Sequence, residues 1–276
     1  MSNIQDAFKH GKAFIPFITA GDHGIIATER YIRTMVKAGA DMIEIGIPFS
    51  DPTAEGPVIQ EASNRALSTG VTIDDIFDMV QRLRTVEGST DTTANEGQLV
   101  SEEPITIPLV FMTYLNPIFV YGRDTFFARC KEVNISGIIV PDMPFEEKGE
   151  LQSYASKYGV EVVSLIAPTS EHRIEMIAKA AEGFVYCVSS LGVTGVRSEI
   201  KTDIKSIVET IRKYTDIPVA VGFGISTPDQ AKAMAAVSDG AIVGSAIVKL
   251  VAEHGDQADA VLFDYVKTMK AAVAEA

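Results

Sequence analysis

Eight short apolar runs, rich in β-branched residues, alternate with amphipathic helical runs along the whole chain. The strand-like runs fall at 13–19, 41–46, 107–112, 137–141, 160–167, 183–189, 218–221 and 240–243. Helical periodicity marks 24–38, 73–86, 123–133, 145–158, 171–181, 198–214 and 227–237, then 245–253 and 257–274. A strand followed each time by a helix leaves the strands parallel. At 276 residues, a closed (β/α)8 barrel uses all of them. The competing architecture is an open doubly wound sheet, but no glycine-rich fingerprint follows the first strand. Residues 3–10 read as an extra helix covering the barrel floor.

One stretch interrupts this rhythm. Residues 85–104 are rich in Thr, Ser, Gly, Asn and Glu, and read as a mobile acidic insertion between the second helix and the third strand. An insertion after a helix and before a strand falls on the barrel face away from an active site. With 46% hydrophobic residues there is ample material for one core, so 1–276 reads as a single domain.

Charge and composition exclude several functions. A net charge of −13 argues against nucleic acid as a partner. No run reaches the ~18 to 20 apolar residues a membrane span requires, and the first residues lack the pattern of a signal peptide. Cys130 and Cys187 lie in apolar surroundings with no metal-ligand spacing, as expected of buried thiols in the cytoplasm.

The unusual residues gather where strands end, which in a barrel is the catalytic face. The second strand carries a glutamate, Glu44, among Met42, Ile43, Ile45 and Ile47, and a loop with Pro48, Pro52, Pro57 and the acids Asp51, Glu55 and Glu61 follows. A buried carboxylate costs several kcal/mol unless it is paired or protonated. Two carboxylates on one strand and its loop suit acid/base work, although a lone buried glutamate often serves only a polar neighbour. Gly222 and Gly224 after the seventh strand, with Gly244-Ser245 opening a helix, form a cradle for phosphate. The run 189–195 reads as a loop able to close over a ligand. His10, His23, His172 and His254 lack partner spacing, and no nucleophile elbow or Schiff-base lysine stands out.

These blocks together resemble the tryptophan synthase alpha-subunit family. The motifs are Phe14-Ile-Pro-Phe-Ile-Thr-Ala-Gly-Asp22, Glu44-Ile-Gly-Ile-Pro-Phe-Ser-Asp-Pro52 with Gly56-Pro57, and Phe111-Met-Thr-Tyr-Leu-Asn-Pro117. To them are added 189–195, Gly222-Phe-Gly-Ile225 and Gly244-Ser-Ala-Ile-Val-Lys249. The resemblance covers the chain apart from the insertion.

It implies retro-aldol cleavage of indole-3-glycerol phosphate to indole and glyceraldehyde 3-phosphate. By position, Glu44 and Glu55 would be the catalytic carboxylates, supported by Tyr186 and Thr194. Phe17, Ile59 and Ile139 would wall the indole. Gly195, Gly224, Gly244 and Ser245 would hold the phosphate. Asp51, Asn116 and Asp142 would face a beta subunit in an alpha2beta2 complex, and pyridoxal phosphate would belong to that subunit alone.

Two departures stand out. Glu55 replaces the family's usual Asp within Ala-Asp-Gly-Pro, and His23 stands where Pro commonly follows Gly-Asp. Three other readings remain open on sequence grounds. They are another phosphate-binding barrel, a standalone lyase, and a catalytically weak subunit that mainly activates the beta chain.

Overall fold

In the computed structural model, which describes residues 3–85, 103–189 and 203–276, the eight strand-like runs close on one another. The strands are β1 (Ala13–Thr19), β2 (Ile43–Gly46), β3 (Leu109–Met112), β4 (Gly137–Ile139), β5 (Glu161–Ile166), β6 (Val185–Val188), β7 (Val219–Gly222) and β8 (Gly240–Val243). Each pairs in parallel with the next, and β8 returns to β1 through the register Ala13↔Gly240 to Pro16↔Val243. The expected closed barrel is therefore the fold.

Period-2 alternation divides the strand residues between two environments. One phase builds a cluster that includes Ile15, Phe17, Met42, Val110, Met112, Ile139, Val163, Tyr186, Ala220 and Ile242, which fills the barrel. The opposite phase, including Ile18, Ile43, Ile45, Phe111, Ile138 and Val162, packs outward beneath helices. Glu44 lies in phase with Met42, so the alternation that buries Ile43 and Ile45 against helices turns the carboxylate into the barrel.

The outer layer comprises α1 (Ile25–Lys37), α2 (Pro57–Ser68), α3 (Ile73–Arg84), α4 (Leu115–Tyr121), α5 (Arg123–Glu132) and α6 (Gly149–Tyr158). It continues with α7 (Glu171–Lys179), α8 (Ile204–Arg212), α9 (Pro228–Val237), α10 (Ser245–His254) and α11 (Asp259–Ala274). Reciprocal side-chain caps start two of them, Thr72 with Asp75 at α3 and Thr227 with Gln230 at α9.

Two helices correct the sequence reading. The segment 48–60 is not loop throughout: Pro57 occupies the first turn of α2, where its missing N–H has no intrahelical partner to lose. Likewise α4 begins right after β3 and tolerates Pro117 in its first turn.

The floor is closed by the N-terminal segment, as expected, but with a 3-10 turn over Ile4–Phe8 rather than an α-helix. Ile4 is fully buried there, and Phe8 meets the Phe184 ring at 6.0 Å. On that same side the Arg84 guanidinium donates to the carbonyls of Ile105 (2.7 Å), Ile107 (2.8 Å) and Asn134 (2.9 Å). This clamp ties the end of α3 to the chain leading into β3. The acidic insertion expected at 85–104 lies, but for its flanks, outside the described residues.

Candidate active site

The carboxyl-terminal mouth of the barrel holds a cavity lined by Phe17, Glu44, Ile59, Met112, Tyr186, Phe223, Gly224, Ile225, Ile242, Gly244 and Ser245. Residues from β1, β2, β3, β6 and β8, with α2 and the loop after β7, thus converge on one space.

Two glycines make that space possible. A Cβ on Gly46 would stand 2.5 Å from the Phe17 ring, and one on Gly222 would stand 2.5 Å from the Tyr186 hydroxyl. Both are contacts that a side chain could not make without displacing the aromatic ring. Strands β2 and β7 are bare at those positions so that large rings from neighbouring strands can reach the centre.

Glu44 is 1% exposed, and among the described residues its Oε2 has no hydrogen-bond partner. Burial among apolar walls, with a further contribution from the charge of Glu55, pushes its carboxyl up to about 8. At neutral pH it is therefore mostly protonated and able to donate. Tyr186 is buried beside it, and burial followed by the Glu44 charge raises its hydroxyl well above the usual range. Its ring lies edge-on to Phe223 at 6.0 Å.

Glu55 is 7% exposed but does not line the cavity. Its Oε2 accepts a hydrogen bond from the Tyr114 hydroxyl, and its backbone carbonyl accepts one from Gln60 Nε2 at 2.8 Å. Burial pushes the Glu55 carboxyl up to about 7. The amides of Glu55 and Ala54 oppose this, and the charge of Asp142 adds to it.

Among the described residues that line the cavity near Gly224, Gly244 and Ser245 there is no Lys or Arg. Helix α10 starts at Gly244 without a side-chain cap, leaving the first-turn amides of its N-terminus beside Gly224 and Ser245. Phe223, between the two glycines, has φ +77°, a left-handed conformation rare for a bulky residue. The Ser189 hydroxyl donates to the Phe223 carbonyl, and the Ser189 amide donates to Gly222 O at 3.0 Å. The strained turn is thereby tied to the end of β6.

Of the residues singled out from sequence, Phe17, Glu44, Ile59, Tyr186, Gly224, Gly244 and Ser245 meet in the cavity, and Ile139 packs in the apolar cluster around them. Thr194 and Gly195 lie outside the described residues. Asp51, Asn116 and Asp142 are exposed at the mouth, where Asp142 accepts a hydrogen bond from the Leu115 amide at 3.0 Å. His23 has φ +59°, a value closed to proline, so the turn after Asp22 is one that the family's usual residue could not make. Asp22 itself, 1% exposed, takes a bidentate pair from Arg65 of α2, both bonds 2.8 Å.

Met112, Phe223, Ile225 and Ile242 were not anticipated. Met112 and Ile242 follow from the inward phase of their strands. Phe223 and Ile225 flank a glycine already singled out. Among the described residues, no group of three or more His, Cys, Asp or Glu side chains gathers as a metal site.

Comparison with known proteins bears on this geometry. The Tryptophan synthase alpha chain family matches residues 4–275. A tryptophan synthase alpha chain from Lacticaseibacillus casei is 45% identical over 273 residues, covering 99% of this chain and 96% of the relative. The crystal structure of tryptophan synthase subunit alpha from Legionella pneumophila superposes with a TM-score of 0.84 at 33% identity, over 100% of both chains. A chain of the tryptophan synthase complex from Pyrococcus furiosus superposes with a TM-score of 0.80 at 32% identity, covering 95% of this chain and 98% of that one.

Proposed function

The chain belongs to the tryptophan synthase alpha chain family, and on that premise we propose the part each site residue takes in the family's reaction. That reaction is lyase cleavage of indole-3-glycerol phosphate to indole and glyceraldehyde 3-phosphate. The partner is a beta chain, and in this family pyridoxal phosphate belongs to it.

Glu44 carries the proton. The observation behind this is its burial in an apolar cavity, with a carboxyl raised to about 8 and so charged with a proton at neutral pH. Glu44 donates to indole C3, and the ring nitrogen takes up positive charge. The emptied carboxylate then accepts the proton of the hydroxyl on the adjoining glycerol carbon as the carbon–carbon bond breaks. The electron pair of that bond restores the ring double bond and neutralises the nitrogen. Indole and an aldehyde result, and Glu44 ends protonated as it began.

Glu55 stabilises the transient charge by accepting a hydrogen bond from the indole N–H. Phe17, Ile59 and Ile139 wall the ring, and Tyr186 with Thr194 supports the carboxylates. The phosphate is held by Gly195, Gly224, Gly244 and Ser245, where backbone amides at the uncapped α10 N-terminus and the helix dipole supply the attraction. Asp51, Asn116 and Asp142 face the beta chain. The whole of 1–276 works as one barrel domain, in the cytoplasm, with no cofactor of its own. A reducing compartment suits Cys130 and Cys187, both free and buried.

A second reading, a weak catalyst that mainly activates the beta chain, draws on one feature: Glu55 turns to Tyr114 rather than lining the cavity. Turnover of indole-3-glycerol phosphate, measured with and without the beta chain, separates the two. Turnover that rises with the beta chain supports the lyase. Its absence under both conditions, alongside stimulated beta activity, supports the second reading.

A further inference from the structure

Tyr114 belongs to the conspicuous block that ends β3, yet none of the roles above uses it. It is 3% exposed, and its ring is braced by Phe49 at 5.3 Å. Its hydroxyl oxygen accepts hydrogen bonds from the amides of Thr53 (3.0 Å) and Ala54 (2.8 Å) and donates to Glu55 Oε2. A phenol has one proton and two acceptor positions. With both acceptor positions filled by N–H groups, the proton can only point outward, and what it meets is the Glu55 carboxylate. One hydroxyl thus holds three consecutive residues of the loop against the rigid rim of the barrel.

We propose that Tyr114 is a positioning residue for the carboxylate that receives the indole nitrogen: its oriented hydroxyl sets where Glu55 stands and favours its ionised form. This rests on the role given to Glu55 above. It also accounts for a glutamate where aspartate is usual in the family. The extra methylene gives the carboxylate a wider range of positions, and a fixed donor at the end of β3 narrows it again. Three carboxylates crowd this rim, since Glu55 acts on Glu44 and Asp142 acts on Glu55. Among the described residues, no Lys or Arg forms an ion pair with Glu55, so its charge rests on neutral donors, the amides of Glu55 and Ala54 together with this oriented hydroxyl.

The test assays wild type, Tyr114→Phe, Glu55→Gln and the double variant on indole-3-glycerol phosphate with the beta chain present. Tyr114→Phe keeps the ring and its packing against Phe49. It should lower kcat by about tenfold, the size expected for loss of a hydrogen bond to a charged group, and leave KM within about twofold. The acid limb of its pH profile should move up by roughly one unit, because the ionised Glu55 loses a donor. In the Glu55→Gln background, the same change should cost less than about twofold. An unmoved acid limb, or a Tyr114→Phe loss that adds in full to that of Glu55→Gln, overturns the proposal while leaving Glu55 its role. Near-normal turnover by Glu55→Gln overturns that role itself, and the proposal with it.

Discussion

Glu44 and Glu55, one buried on a strand and the other on the loop that follows it, are electrostatically coupled. The charge of Glu55 adds to burial in holding the Glu44 proton to about pH 8, while Glu55 itself, raised by burial to about 7, loses its proton first. Between these values the favoured arrangement is the one the proposed roles require, with Glu44 protonated and Glu55 ionised.

The pH profile follows from that order. Turnover needs Glu44 protonated and Glu55 ionised, so kcat/KM should form a narrow bell, falling below about pH 7 and above about pH 8. The two limbs belong to the coupled pair rather than to single residues. Stopped-flow or steady-state assays across pH 5 to 10 check this; a flat profile would count against the assignment.

Stability should favour the same protonated form of Glu44 that turnover needs. Glu44 binds its proton more tightly folded than unfolded, where it returns to about 4.5. Its contribution is fully present below that value and is lost as pH rises through about 8. Glu44→Gln removes the titration. At pH 9 the variant should be more stable than wild type by roughly 2 to 4 kcal/mol, with little difference near pH 4. Urea unfolding at the two pH values measures it, and equal stability of the two proteins at pH 9 would contradict strong desolvation of the carboxyl.

Gly222 is required for volume. A methyl group there meets the Tyr186 hydroxyl at 2.5 Å, and the ring lies between Phe184 and Phe223 with little room to retreat. Gly222→Ala should destabilise the barrel by about 1 to 3 kcal/mol. It should also reduce kcat/KM by roughly tenfold or more, since a small displacement within the cavity is enough to disturb the reacting geometry. Thermal melts with parallel assays check both effects.

Much of this architecture is legible in the chain itself. The runs at 13–19 and 240–243 match β1 and β8 residue for residue, because flanking turns and continuous apolar character mark a strand buried on both faces. The α2 helix was hidden by Pro57, which looks like a breaker but occupies the one turn where proline suits a helix. Cavity residues named from motifs came together, whereas Met112 and Phe223 escaped because neither is chemically conspicuous. Tyr114 could not be paired with Glu55 by spacing, since 59 positions separate them and only closure of the barrel and the return of the loop bring them into contact.

Whether Glu44 moves the proton is read from the turnover of Glu44→Gln on indole-3-glycerol phosphate with the beta chain present. Glutamine keeps the shape and burial but can neither give nor take the proton. The loss in kcat should be on the order of 10²- to 10⁴-fold, in a protein that is folded and still stimulates its beta chain. A variant that retains kcat within a few-fold of wild type would contradict that role for Glu44.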